Sequence, residues 1–385
     1  MDKKAIFLFL LIYIGVSCNR KVEPNDSSLY TSIQLPLAQK EQIISLSEIT
    51  DSIVYVPLET NDQCLIGSID KLLVTDDHNY IVVDKDIAAS VFLFDSNGSF
   101  IRKIGNRGEA KNEYLTLEDV TYENDQIYIW DSAQKKVLVY SAKGSFIQHF
   151  RFDYTAHSLC CLGKDLFAFC CGYTPNQALY TNGCYPSTLI YDRAKNETTG
   201  KLFFDASISP AAYTSVLNNL YQANLYLPLN DTIYKITEGG NITRNYVLAY
   251  DEKYLQNKQA YIERSKTGRL SANEAEQAYL KGMYPHLITY FPCDNVHVFF
   301  MRMADYLYYG FYYPNTQTYK EASSRNMLPV KNDIDGIGVF SPRCSKGNIL
   351  YNLVEPSELS EKENCLKKQI AEDNNPIIAK LYMKR

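Results

Sequence analysis

The sequence predicts an all-β fold, a six-bladed β-propeller with short helical insertions, because part of it repeats with the length of one blade. The tetrapeptide Gly-Ser-Phe-Ile occurs at residues 98–101 and again at residues 144–147, 46 positions later. In both copies it follows two apolar, strand-like runs, the first of which ends in an aspartate, Asp84 or Asp131. A repeat of this length is typical of a four-stranded propeller blade.

The chain begins with the features of an export signal, which we assign to residues 1–17. Lys3 and Lys4 precede an uncharged apolar run from Ala5 to Val16. A membrane-spanning helix needs roughly 20 apolar residues, so this shorter run fits the core of a signal peptide.

Cys18 follows this run after the single residue Ser17 and has two interpretations. It is either lipidated, as in bacterial lipoproteins, or incidental in an ordinary cleaved signal peptide. We favour lipidation, because a cysteine at this position is otherwise unexpected. Acyl chains, worth about 0.8 kcal/mol per buried methylene, would then hold the protein to a membrane. Residues 18–40 would form the lipidated tether and residues 41–385 the propeller.

Strand candidates follow in blade-sized groups. Residues 53–59 predict a strand in which Pro57 requires an edge or a strand end. Two clear blades follow at residues 64–108 and 109–155. Less regular outer strands are predicted at residues 188–192, 231–236 and 308–313, and the final strand candidates are residues 347–351 and 377–382. Together these strands give six blades.

The ring has to close, because a single blade cannot bury both of its faces. We therefore predict that the strands near residues 53–58 and 377–382 share one blade. The alternative is that the C-terminal strand only extends the last blade.

Two helical insertions are predicted. Residues 251–283 contain Ser271 with Glu274 three positions later, the pattern of a capping box. Residues 357–372 predict a second helix that stops before Asn374-Asn375-Pro376.

The composition excludes some partners and leaves others open. The net charge of −5 and the absence of a basic stripe argue against nucleic acid. The 32 tyrosines suit strands, but tyrosine also stacks on sugars and peptides. The cysteine doublets Cys160-Cys161 and Cys170-Cys171 are either buried apolar side chains, which we favour, or joined by one disulfide across a hairpin.

The repeated aspartates, Asp84 and Asp131, are expected to cap turns by accepting hydrogen bonds from backbone N–H groups. The loop that follows the first repeat joins an outer strand to the next inner strand, on the face where propeller ligands usually dock. It is either a solvated loop or a ligand contact. Its candidate ligand-binding residues are Arg107, Glu109, Asn112, Glu113 and Tyr114.

The chain resembles the six-bladed β-propeller lipoproteins of gut-type bacteria, which are related to NHL-repeat propellers. The resemblance is carried by residues 46–49, 53–60, 100–105 and 230–234 and by the Asn-Pro before the C-terminal strand. It implies an outer-membrane lipoprotein in the cell envelope, facing the periplasm or exposed on the surface. Some related propellers hold a divalent cation or catalytic acids in the central channel, and those ligands come from different blades.

Two functions remain open from the sequence. The repeat, the anchor and the lack of a catalytic motif favour a non-catalytic binding or scaffolding module for a glycan, peptide or protein partner. No cofactor or metal ligand is predicted from local spacing. The alternative is a hydrolase or lyase that uses acids or a divalent cation in the central channel.

Overall fold

A computed structural model gives the structure of the chain. It describes residues 30–208, 220–266, 271, 273–274, 277–278, 281–325, 327–359 and 370–384. The predicted signal peptide and Cys18 lie outside these residues.

The described strands form six sheets arranged as the blades of a propeller. Before the first blade, the chain forms β1 (Thr31–Gln34), β2 (Ile44–Ser45) and β3 (Thr50–Pro57). Blade 1 contains β4 (Lys71–Val74), β5 (Tyr80–Asp84), β6 (Ser90–Phe94) and β7 (Phe100–Lys103). Blade 2 contains β8 (Asp119–Glu123), β9 (Gln126–Asp131), β10 (Lys136–Ser141) and β11 (Phe146–Arg151). Blade 3 contains β12 (Ser158–Cys161), β13 (Leu166–Cys170), β14 (Cys184–Asp192) and β15 (Glu197–Asp205).

The later blades are less regular in sequence. Blade 4 contains β16 (Leu220–Tyr221), β17 (Asn224–Tyr226), β18 (Thr232–Ile236) and β19 (Ile242–Ala249). Blade 5 contains β20 (His286–Pro292), β21 (His297–Met303), β22 (Tyr306–Tyr313) and β23 (Thr318–Arg325). After β24 (Val330–Lys331), blade 6 contains β25 (Pro342–Lys346), β26 (Ile349–Val354) and β27 (Ile377–Met383), with β3 as its outermost strand.

The six-bladed propeller predicted from the sequence is confirmed, and the two predicted blades at 64–108 and 109–155 contain blades 1 and 2. The predicted outer strands at 188–192, 231–236 and 308–313 are instead third strands. Each is covered by a fourth strand that the sequence did not reveal. These fourth strands are rich in polar residues, as in the segment Glu197–Asp205, so their apolar pattern is weak.

The core consists of apolar clusters between neighbouring blades. Six such clusters occur among the described residues, one at each boundary of the ring. The only tryptophan of the chain, Trp130, lies between blades 2 and 3, with its ring centroid 5.5 Å from that of Phe152 and 5.7 Å from that of Phe169. Its Nε1 donates a hydrogen bond to the carbonyl of Ala156 at 2.9 Å. Each blade therefore depends on both of its neighbours for burial.

The ring closes in blade 6. β3 pairs antiparallel with β27, with Ile53 opposite Leu381 and Pro57 opposite Ile377. The predicted closure is confirmed, since three strands of this blade come from the C-terminal part of the chain and the fourth comes from near its start. Pro57 is the last residue of the outermost strand, so its missing N–H does not interrupt the hydrogen bonds between strands.

Residues 31–49, which we call the strap, run along the outer edges of blades 4, 5 and 6. β1 pairs parallel with β19 as a fifth strand of blade 4. Gln42 and Ser323 then exchange backbone hydrogen bonds of 2.7 and 2.9 Å on the edge of blade 5. β2 pairs with β24, and the chain continues into β3.

The strap corrects the predicted tether of residues 18–40 for the part of it that is described. Ile33, Leu35 and Leu37 are buried against blades 4 and 5. Their spacing of two residues is the pattern of a half-buried strand, and it lies too close to the polar N-terminal stretch to stand out. Glu321 of blade 5 also fixes the strap, because its carboxylate accepts hydrogen bonds from the backbone N–H groups of Leu37 and Ala38.

The first helical insertion is confirmed as α1 (Glu252–Lys266), between blades 4 and 5. Ser271 and Glu274 form the predicted capping box, with the Ser271 N–H donating to the Glu274 carboxylate at 2.9 Å and the Glu274 N–H donating to Ser271 Oγ at 3.2 Å. The second predicted helix falls largely on residues 360–369, outside the described residues. None of the helices that the structure describes is long and apolar enough to cross a membrane.

The cysteine doublets are buried thiols. Cys160 and Cys161 lie on β12, and Cys170 lies on β13 opposite Ser158, so the doublets are offset along the hairpin. Burial raises the pKa of the Cys160 thiol to about 12. This arrangement matches the apolar interpretation.

Each repeated aspartate binds the segment of chain that leads into the first strand of its blade. Asp84 accepts hydrogen bonds from the backbone N–H groups of Gly67 and Ser68, at 2.7 and 3.0 Å, and from those of Ile87 and Ala88. Asp131 does the same at the equivalent place in blade 2, for Leu115, Thr116 and Gln134. The predicted structural role is confirmed.

Deletion of residues 376–385 should lower the melting temperature by at least about 10 °C or abolish cooperative unfolding. The deletion removes β27 and leaves β3 without a partner, and large buried side chains cost about 2–5 kcal/mol each when they are truncated. The measurement is thermal unfolding followed by circular dichroism, with deletion of Arg385 alone as the control. Unchanged melting of the longer deletion would contradict closure through β27.

Asp84→Ala should destabilise the fold by about 2–4 kcal/mol, because four backbone N–H groups lose their shared acceptor, the buried Asp84 carboxylate. Chemical denaturation of the variant measures this loss. The exposed Asp62→Ala variant serves as the control. Equal stability of Asp84→Ala and the native chain would mean that the aspartate has another role.

Candidate ligand-binding site

One face of the propeller carries the longer connections, and we call it the loop face. Two kinds of connection meet there: those between the second and third strands of a blade, and those from an outermost strand to the next blade. The hydrogen bonds of Asp131 show this, since its position at the end of β9 brings it to Leu115 and Thr116 in the connection before β8. The opposite face carries the short hairpins, and we call it the hairpin face.

The predicted site loop, residues 107–114, lies on the loop face and is braced from below by blade 2. Its ends are joined by hydrogen bonds from the Gly108 N–H to the Tyr114 carbonyl, at 2.9 Å, and from the Tyr114 N–H to the Asn106 carbonyl, at 3.0 Å. Three side chains of blade 2 donate to loop carbonyls: Gln134 to Gly108 at 3.2 Å, Lys136 to Ala110 at 3.1 Å and Tyr140 to Asn112 at 2.5 Å.

The five predicted site residues separate into two groups. Arg107, Glu109 and Asn112 are exposed on the loop face. Tyr114 is only 1% exposed and packs in the cluster between blades 1 and 2, where burial raises its pKa to about 12. The half-buried Glu113 accepts a hydrogen bond from the Ala110 N–H at 3.0 Å, so it also supports the loop.

A polar network beside this loop was not predicted. His157 Nδ1 lies 3.2 Å from a carboxylate oxygen of Glu118, and His157 Nε2 lies 2.7 Å from Thr174 Oγ1. The hydrogen bond from His157 is the largest cause that lowers the pKa of Glu118. Glu118 precedes the first strand of blade 2, and His157 precedes the first strand of blade 3. Their contact could have been predicted only by aligning the residues that precede the first strands of blades 2 and 3.

One acid on the innermost strands around the central channel, Asp119, is engaged within the protein. Lys71 and Asp119, the first residues of β4 and β8, form a buried ion pair of 2.7 Å, and Asp119 also accepts the Leu159 N–H at 2.9 Å. These contacts join the innermost strands of blades 1, 2 and 3. Within the described ranges, no three His, Cys, Asp or Glu side chains come together in an arrangement that could hold a metal ion.

A tyrosine crosses the channel. The hydroxyl of Tyr221, on the innermost strand of blade 4, donates to the Ser345 carbonyl at 2.7 Å and accepts from the Ser345 N–H at 3.0 Å. Ser345 belongs to blade 6, so this contact joins blades 4 and 6, which are separated in the ring by blade 5. Towards the hairpin face, a pocket of about 280 Å³ remains, and Lys346 and Asp76 form an ion pair of 2.6 Å at its mouth.

A larger pocket of about 510 Å³ lies on the loop-face side between blades 3 and 4, and we call it the rim pocket. Its walls come from β15, from the connection between β17 and β18, from β19 and from α1. Tyr30, just before β1, also contributes to it. No sequence motif could have revealed it, because these elements are far apart in the chain.

A charged network lies in the rim pocket. Lys258 of α1 donates hydrogen bonds to the carboxylate of Asp231 and, at 3.1 Å, to the hydroxyl of Tyr250. Tyr250 in turn donates to Asp231. Burial, followed by the charge of Asp231, raises the pKa of Tyr250. The three groups therefore satisfy one another, and Lys258 is only 9% exposed.

Comparison with solved structures supports the fold. The chain is similar to a "putative exported protein" from Bacteroides fragilis, with a TM-score of 0.69 and 16% sequence identity over 93% of this chain and 100% of that chain. It is also similar to a member of the DUF4221 family from Bacteroides vulgatus, with a TM-score of 0.54 and 11% identity over 90% of this chain and 99% of that chain. At these identities the likeness shows the fold alone.

No curated protein matches the chain. A family model described as "Domain of unknown function (DUF4934)" matches residues 31–382, from the first residue of β1 into β27. The strap is thus part of the matched domain, and the chain belongs to the DUF4934 family.

Proposed function

We propose that the protein is an exported, lipid-anchored propeller that binds a glycan, peptide or protein partner through its loop face without catalysing a reaction. The observation that carries this proposal is the braced loop of residues 107–114. Arg107, Glu109 and Asn112 are exposed on a backbone that blade 2 holds in place. A preformed contact surface of this kind loses little conformational entropy when it binds a partner.

Tyr114 and Glu113 have a different role in this proposal from the other three residues. Tyr114 anchors the loop in the core, and Glu113 fixes its turn through the Ala110 N–H. The residues that contact the ligand in this proposal are Arg107, Glu109 and Asn112. Their polar groups can form hydrogen bonds or ion pairs with hydroxyl, amide or charged groups.

The engagement of two acids near the channel, Asp119 and Asp76, supports a non-catalytic role for them. Glu123 also lines the channel pocket, and burial raises its pKa. Asp119 is bound by Lys71 and by the Leu159 N–H, and Asp76 is bound by Lys346. A general acid or base has to be able to reach a substrate and exchange a proton with it. In the present arrangement the carboxylates of Asp119 and Asp76 serve to join blades.

Export and anchoring are supported by the signal features of residues 1–17, by Cys18 and by the exported description of the Bacteroides fragilis neighbour. β1 begins at Thr31 on the edge of blade 4. A fully extended chain reaches about 3.5 Å per residue, so a lipid on Cys18 would hold this edge within roughly 45 Å of the membrane.

The combined variant Arg107→Ala, Glu109→Ala and Asn112→Ala should bind its ligand at least about tenfold more weakly, a loss of about 1.4 kcal/mol. The probe is an array of immobilised oligosaccharides and peptides, exposed to the chain from residue 19 onward. Because the three side chains are exposed, the melting temperature should stay within about 2 °C of the native value.

Lys143→Ala, an exposed site in the hairpin between β10 and β11 on the opposite face, is the matched control. Equal binding by the triple variant, or conversion of an array compound into a product, would overturn the proposal.

A further inference from the structure

We infer that the rim pocket is a binding site for a neutral sugar residue of a glycan. The inference rests on the proposed binding function in naming one of its ligand classes, but it uses a surface separate from residues 107–114. Its volume of about 510 Å³ lies within the range of pockets that hold small organic ligands, about 300–1,000 Å³.

The backbone that forms the pocket is held in unfavourable conformations at two leucines. Leu202 has a φ of 48° and Leu229 a φ of 60°, in the left-handed region that bulky side chains rarely adopt. Both leucines line the pocket, one from blade 3 and one from blade 4. Strain of this kind persists only where the surrounding structure imposes it, and it concentrates at binding and catalytic sites.

The strain at Leu202 has a specific consequence for the pocket wall. Pairing between β14 and β15 is present at Pro186–Phe203 and at Thr188–Lys201, but it is interrupted between Ser187 and Leu202. In a regular strand, successive side chains point to opposite faces. Here the consecutive residues Leu202, Phe203 and Phe204 all line the pocket, which concentrates apolar and aromatic surface on one side.

Aromatic rings continue along this wall. The rings of Phe204 and Tyr173 meet edge to face, with centroids 5.1 Å apart, and both residues line the pocket. Phe203 is half-buried and lines the pocket, so part of its side chain can be reached from the pocket. Flat aromatic surface of this kind complements the C–H face of a sugar ring.

Polar groups face this wall from blade 4 and α1. Asn230 accepts the Thr232 N–H at 3.0 Å and donates to the Tyr234 hydroxyl at 3.1 Å. Those two bonds leave Asn230 one N–H and leave Tyr234 its hydroxyl proton to donate. The exposed Gln259 of α1 adds a second side-chain amide. Amide and hydroxyl groups can both donate to and accept from the hydroxyls of a sugar.

The charges in the pocket favour a neutral ligand. Lys258 and Asp231 neutralise each other, and Tyr250 completes their hydrogen bonds. The guanidinium of Arg244 lies over the ring of Tyr30, 5.6 Å from its centroid. A charged ligand group would have to break the Lys258–Asp231 pair to bind either of these residues, whereas a neutral polyhydroxylated ring would not.

The test is isothermal titration of the chain from residue 19 onward with the neutral oligosaccharide that it retains most strongly on an array. Phe203→Ala should weaken binding at least tenfold, and Phe203→Tyr should restore it, because the ring and not the hydroxyl makes the contact. Lys201→Ala, half-buried on the same strand but outside the pocket wall, should bind like the native chain.

The outcomes separate this inference from the proposed function. Loss of sugar binding in Phe203→Ala, with native affinity in the triple variant at 107, 109 and 112, supports a distinct rim-pocket site. Native affinity in Phe203→Ala, with loss in the triple variant, overturns the rim-pocket site and leaves the loop-face function standing. Retention of charged sugars or peptides only, with no neutral oligosaccharide bound, overturns the assigned ligand class.

Discussion

The antiparallel pairing of β3 with β27 is the contact on which the rest of the structure depends. Each blade presents apolar surface on both faces, and six apolar clusters fill the boundaries around the ring. Two of these clusters contain residues of blade 6, and that blade exists as a four-stranded sheet only when the two ends of the domain meet. Loss of this pairing would therefore expose the apolar surfaces at both boundaries of blade 6. Rearrangement within one blade could not bury them again.

The strap also joins the N-terminal part of the domain to later blades. It adds a parallel strand to blade 4, backbone hydrogen bonds to blade 5 and a short pairing to β24 before it becomes β3. The strap therefore fastens blades 4 and 5 from outside before the chain enters blade 6. Because the strap and its partners are far apart in the sequence, this arrangement forms through non-local contacts, which are slow to form during folding.

The blade repeat was readable from the sequence because its turns and strands have local requirements. Gly98 and Gly144 have φ values of 88° and 79°, which favour glycine in the repeated hairpin. Asp84 and Asp131 were readable for the same reason, since each bonds its own turn. Ring closure followed from the physical need to cover both end blades.

The site was much harder to predict from the sequence, because long-range packing decides which polar residues reach the surface. Tyr114 sits among the exposed residues of its loop in sequence, yet its ring fills the core between blades 1 and 2. The pair of Glu118 and His157 and the walls of the rim pocket come from different blades. Nothing in the segment 197–205 indicates the left-handed backbone at Leu202.

Hydrogen exchange followed by mass spectrometry tests the closure of the ring most directly. If β3 is the outermost strand of blade 6, the amides of residues 50–57 that pair with β27 should be protected as long as those of β26, because both exchange only when the blade opens. Exchange of these amides within seconds, while β26 and blades 1 to 5 stay protected, would show that the ring is not closed by this strand and would contradict the account.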